Sequence, residues 1–196
     1  MITVRWLLPA MALLAFLACL AHSYRFGKRD PLFFVVAVAF ALAMEWAQLL
    51  FLDYQYVGFP PRWRGVPLVI PLGWSAVFYL SDEVAAQVLR GLHWARRVFA
   101  ATMVTMVLLL ALELAGLRLG WWTWAEEPAM GGLPLLVPFQ AFSAGFTFLL
   151  GVHLVAQMGL TDARLRLRFL VLTLFPLLFV HAGFVYLVRQ AMRWLF

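Results

Sequence analysis

The chain has 196 residues, 65% of them hydrophobic, 16% aromatic and 12% charged. Soluble domains run about half apolar and about a quarter charged, which excludes an ordinary cytosolic globule, and a single cysteine, Cys19, excludes a disulfide scaffold. The net charge of +6 comes from 15 Lys and Arg scattered between apolar runs, not gathered in a stripe, so it speaks for topology signals and headgroup contacts and against a nucleic-acid partner.

Apolar runs fall at Trp6–Ala21, Leu32–Leu52, Pro67–Leu89, Val98–Leu119, Leu133–Val155 and Phe169–Val188. Roughly 20 residues cross the hydrocarbon once as a helix, so the expected fold is all-α, one integral membrane domain over residues 1–196 with about six transmembrane helices. In the first run, Arg5 and the string "FLAC" ending at Cys19 look faintly like an export signal. Arg25, Lys28 and Arg29 follow at once and resist export, so a retained span is expected. The third run is interrupted by Asp82 and Glu83, which together with His153 are expected at an interface. Pro31, Pro67 and Pro134 stand at span starts, where a missing N–H costs nothing, whereas Pro71, Pro138 and Pro176 lie deeper and are expected to kink their helices.

The connectors 22–30, 90–97 and 161–168 carry nine Lys and Arg, and the opposite side carries six: Arg5, Arg62, Arg64, Arg118, Arg189 and Arg193. The positive-inside rule then puts both termini outside, with the two long loops, 53–66 and 120–132, on the outer face.

Two stretches repeat. Glu45, eight residues, Tyr54-x-Tyr56 and "GVPLVIPL" from Gly65 are matched by Glu113, eight residues, Trp122-x-Trp124 and "GLPLLVPF" from Gly132. Their offset of 68, falling to 67 after the loop, describes a parallel duplication of helical hairpins, spans 2–3 and 4–5.

At about 1.5 Å of rise per residue, Glu45 and Glu113 each sit roughly 10–12 Å below the outer loops. Trp74, Gln140 and His181 reach the same depth, so five helices contribute to one inward-facing polar layer. A carboxyl there, with no cation on its helix face, is expected to be uncharged, because desolvation disfavours the charged form. Such a group can act as a general acid. Glu45, Glu113 and His181 are therefore the candidate catalytic residues, the glutamates facing each other across a dry chamber. Tyr54, Tyr56, Trp74, Trp122, Trp124 and Gln140 are candidate substrate contacts, since aromatic faces stabilise a passing cation. Each has a plainer reading: interhelical hydrogen bonding for the glutamates and Gln140, packing for His181, an interfacial belt for the aromatics. No metal is expected, because no HxxxH, HxxE or Cys cluster occurs, and no cofactor or nucleotide fingerprint is present.

The string from Glu45 through "DYQYVGFPPRWRGVPLVIPLGW" to Trp74, followed later by "GWWTWAEEPAMGGLPLLVP", resembles the carotenoid 1,2-hydratases of bacterial and archaeal membranes, which hydrate bisanhydrobacterioruberin or the acyclic end of monocyclic carotenes. The resemblance covers about residues 40–145. The family pattern has an aspartate near the end of span 4, where Glu113 is the nearest acid, and an Asn and Gly-Trp where this chain reads "VPFQAF". Membership would imply protonation of a terminal isoprenoid double bond, capture of the tertiary cation by water, an apolar isoprenoid or carotenoid substrate, and the company of other pathway enzymes in a cell membrane. The alternative is a non-catalytic membrane protein that binds or moves a lipid or supports a partner enzyme.

Overall fold

The computed structural model describes residues 6–52, 54–57, 59, 61–91, 93–124, 129–130 and 132–195, and Arg5 lies outside them. The described residues form six helices: α1 (Leu7–Phe26), α2 (Pro31–Phe51), α3 (Val69–Val88), α4 (Trp94–Arg118), α5 (Leu136–Gln157) and α6 (Ala163–Leu195). Short strands β1 (Tyr54–Tyr56), β2 (Arg62–Trp63) and β3 (Val66–Pro67) join α2 to α3. Three more, β4 (Trp122–Trp124), β5 (Ala129–Met130) and β6 (Leu133–Pro134), join α4 to α5.

Five of the helices, α1, α2, α4, α5 and α6, are long and apolar enough to cross a bilayer. The sixth, α3, is long enough but carries Ser81, Asp82, Glu83 and Gln87 in its second half. Of the most apolar window in each of the five, 67% is buried in α5 and 50% in α2, against 17–22% in α1, α4 and α6. The two former make the centre and the three latter turn apolar faces outward. On α6 that face includes Leu172, Phe175, Phe179 and Leu187, all exposed. An apolar surface this extensive belongs in lipid. This is a helical membrane protein.

Aromatic packing holds the centre. Phe78 of α3 stacks on Phe148 of α5 with centroids 4.4 Å apart, and Phe40 of α2 meets Phe148 at 5.4 Å. Small residues let helices approach: a Cβ on Gly145 would meet the Thr105 side chain at 2.9 Å.

Helix ends follow local chemistry. Pro31 stands at the first position of α2 behind an Asp30 cap whose Oδ1 accepts from Leu32 N–H at 2.8 Å. Pro67 and Pro134 differ from expectation, since each lies in a two-residue strand ahead of its helix. That shift puts Pro71 and Pro138 in the first turns of α3 and α5, where no helical acceptor is lost, and a kink is not called for. Only Pro176 is interior, in the 33-residue α6.

The strands were not expected from hydropathy. β2 and β3 form a hairpin whose turn residues, Arg64 and Gly65, both have positive φ, as a type I′ turn requires. β5 and β6 pair in the equivalent way, with Gly132 at φ 83°. β1 pairs with β4 antiparallel, Tyr54 opposite Trp124 and Tyr56 opposite Trp122, so the two long connectors are joined to each other.

Asp82 and His153 are buried between the helices, at the end of the molecule where the basic connectors lie. Asp82 Oδ1 accepts from Arg97 Nε at 3.2 Å and lies 2.9 Å from His153 Nε2, while Oδ2 is paired with Arg29. The carboxylate thus ties α3 to α4, to α5 and to the α1–α2 connector, and this mutual pairing is what permits its burial.

Candidate functional site

Alternation along β1 and β4 aims their aromatics the same way. Tyr54 and Trp122 are buried and Tyr56 and Trp124 half-buried, while Gln55 and Thr123 are exposed. Tyr54 stacks on Trp124 with centroids 4.8 Å apart, and Tyr56 meets Trp122 edge-on at 6.1 Å.

Each aromatic pair serves the glutamate on the preceding helix. Glu45 Oε2 accepts from the hydroxyls of Tyr54 and Tyr56, the latter at 2.7 Å, and Glu45 Oε1 accepts from Trp74 Nε1 at 2.5 Å. Glu113 Oε1 accepts from both Trp122 Nε1 (2.8 Å) and Trp124 Nε1 (2.5 Å). The two carboxyls differ in one respect. Both oxygens of Glu45 are engaged and the residue is buried, whereas Glu113 is half-buried and its donors converge on one oxygen. Among the described residues no Lys or Arg pairs with either. In the connector, burial followed by the nearby Glu45 carboxylate holds the phenols of Tyr54 and Tyr56 well above their usual range, so both keep their protons and donate.

Glu45, Glu113, Tyr54, Tyr56, Trp74, Trp122, Trp124 and Gln140 line one cleft of about 760 Å³, counting its open mouth. The rest of the wall is almost wholly apolar, contributed by α1, α3, α4 and α5. An apolar cleft with a few convergent polar groups is the usual form of a small-molecule site.

His181 is not on that wall. It is buried behind it, with Nε2 2.8 Å from Gln48 Nε2 and Nδ1 3.1 Å from Ser143 Oγ. Gln48 in turn accepts from Gln140 Nε2 at 2.6 Å, which leaves Gln140 Oε1 buried without a protein partner. Donation runs consistently along Gln140, Gln48, His181 and Ser143, with His181 carrying its proton on Nδ1. Gln48 and Ser143 escaped the sequence reading. A signal for both existed, since Gln48 stands three residues after Glu45 and Ser143 three after Gln140, on the same helix faces.

Gly116 sets the position of Trp122. A Cβ there would lie 2.1 Å from Trp122 Cζ2, so Gly116→Ala forces the indole away from Glu113. Alanine's helix preference offers about 1 kcal/mol, while overpacking costs about 1–3 kcal/mol. The variant is expected to melt at a lower temperature in detergent, and a rise would show that the indole repacks freely.

No protein-family model, no curated protein and no solved structure matches this chain.

Proposed function

We propose that this chain is a six-span membrane enzyme, formed by parallel duplication of a helical hairpin, that hydrates a terminal isoprenoid double bond by acid catalysis in the manner of the carotenoid 1,2-hydratases it resembles. One observation carries the reading: two carboxyls, each bonded only to aromatic donors, share one apolar cleft. The duplication is supported by the matching of Glu45 with its tyrosines to Glu113 with its tryptophans, and of one β-hairpin to the other. The basic connectors favour an orientation with both termini and the aromatic ribbon outside.

Glu113 is the proton donor, because Oε2 is left free of the indole bonds that engage Oε1. Its proton goes to the less substituted alkene carbon and the electron pair of the double bond forms the new C–H bond, leaving a tertiary cation. The faces of Tyr54, Trp122 and Trp124 stabilise that charge. Water held by Gln140 Oε1 adds to the cation, and Glu45, the one ionised carboxyl in this scheme in place of the uncharged form expected from depth, takes the proton that the added water loses. Return of that proton to Glu113 completes a cycle whose sum is alkene plus water to tertiary alcohol. No redox change and no cofactor is required. His181, through Gln48, is a positioning residue for Gln140.

The test is chemical. Cells that make an acyclic carotenoid and express the chain are expected to yield a carotenoid heavier by one water, with a tertiary hydroxyl, by mass spectrometry of extracts. Unchanged carotenoids beside folded protein would remove the hydratase reading. The engagement of both Glu45 oxygens favours one other reading, a structural tether in a non-catalytic lipid-binding protein, which predicts that unchanged result.

A further inference from the structure

A second pocket opens at the opposite end of the molecule, between α2, α5 and α6, with about 800 Å³ of empty space counting its mouth. Its rim carries Lys28, Arg29, Asp30 and Arg166, and its walls are apolar, among them Val36, Val152 and Leu170. We propose that this pocket binds one anionic phospholipid, its phosphate on Lys28 and Arg166 and an acyl chain along the walls. The inference is independent of the hydratase reading.

The rim cations are unequally committed. Arg29 is already paired with the buried Asp82. Arg166 gives one N–H to Asp30 at 2.7 Å and its side chain keeps 30% exposure, so the rest of its guanidinium fork can take an anionic oxygen at the rim. The Lys28 side chain is 44% exposed and, among the described residues, its ion pair is with Glu83 at 3.6 Å, which leaves most of its ammonium for a ligand. Across the whole cluster, Lys28, Arg29, Arg97 and Arg166 face Asp30, Asp82 and Glu83. With His153 counted neutral, four positive charges against three negative leave one, the complement of a phosphodiester.

The walls decide between a lipid and free phosphate. Inorganic phosphate has no use for an apolar slot, whereas a lipid fills both parts. Basic pockets between membrane helices on the basic-loop side hold lipid headgroups in this way. The three connectors richest in Lys and Arg supply this end of the molecule with Lys28, Arg29, Arg97 and Arg166.

The full chain, delipidated in detergent, is titrated with phosphatidylglycerol or with phosphatidylcholine of the same acyl chains and read by native mass spectrometry. One phosphatidylglycerol is expected to be retained about tenfold more strongly than phosphatidylcholine. The K28Q/R166Q double variant should lose that preference. Ala156→Trp, at an exposed wall position, should lower retention of both lipids without altering charge and stands as the test if the double variant fails to fold. Excess inorganic phosphate should not displace the lipid. Equal retention of the two lipids, a preference that survives K28Q/R166Q, undiminished retention in Ala156→Trp, or displacement by phosphate would each overturn the proposal.

Discussion

On the proposed mechanism, Glu113→Gln is expected to lower hydration of an acyclic carotenoid by about 10²–10⁴-fold, the range a general acid supplies, while the protein still folds. Glutamine keeps the volume of the side chain, and its Oε1 can still accept from the indoles of Trp122 and Trp124, so the ribbon stays in place. What is lost is the acidic proton, because an amide cannot protonate an alkene. Glu45→Gln can also keep its partners, since the amide oxygen accepts from Trp74 Nε1 while the amide nitrogen donates to the two tyrosine hydroxyls, which accept as well as donate. What it loses is the base that takes the proton from the added water, so that variant should lose activity while melting close to the parent. Product yield and melting temperature, measured together on both variants, separate lost chemistry from lost fold. If Glu113→Gln keeps activity within about threefold of the parent, the proton comes from elsewhere and the proposed mechanism fails.

Asp82→Ala is expected to give the largest loss of stability of any single change considered. Removing one member of a buried ion pair costs about 3–5 kcal/mol, because the remaining charges stay in a poor solvent. Here the lower figure applies, about 3 kcal/mol, since Arg29 and Arg97 keep 18% and 29% of their side-chain surface exposed and can turn toward water. The measurement is thermal unfolding in detergent. Adding Arg29→Ala to Asp82→Ala should recover part of the loss, because the second change removes a cation the first left unpaired. Strict additivity of the two effects would show that they are not coupled.

The helices were legible because a bilayer imposes a length and a polarity that few other environments do. The six apolar runs all correspond to helices, although α3, with Asp82 and Glu83, is not apolar enough to count as a span by itself. The glutamates and their aromatic partners were legible because one spacing occurs twice, with Tyr in one stretch and Trp in the other. The strands were less so. Tyr54-x-Tyr56 and Trp122-x-Trp124 do alternate, but three residues are too few for a period to stand out against an interfacial aromatic belt. The burial of Asp82 was not legible, for a different reason. A carboxylate late in an apolar run reads as the end of that run unless its cations are known, and they come from positions 53 residues before it and 15 after it. Such partners are set by how helices pack, which no local spacing encodes. His181 faces inward, as expected, but meets Gln48 and Ser143 and not the cleft, because which neighbours an inward side chain meets depends on how α6 is rotated against α2 and α5.

The three-residue ladder between β1 and β4 makes the two carboxyl environments interdependent. A strand has only two sides, so sliding either partner by one position would turn both tyrosines or both tryptophans outward together. Neither acid could then be refitted gradually, one donor at a time. Lineages that lengthen or shorten these connectors must therefore do so beyond the ladder, in the stretch between Val57 and the β2–β3 turn or between Trp124 and β5, while the few residues from each glutamate to its strand stay constant in number.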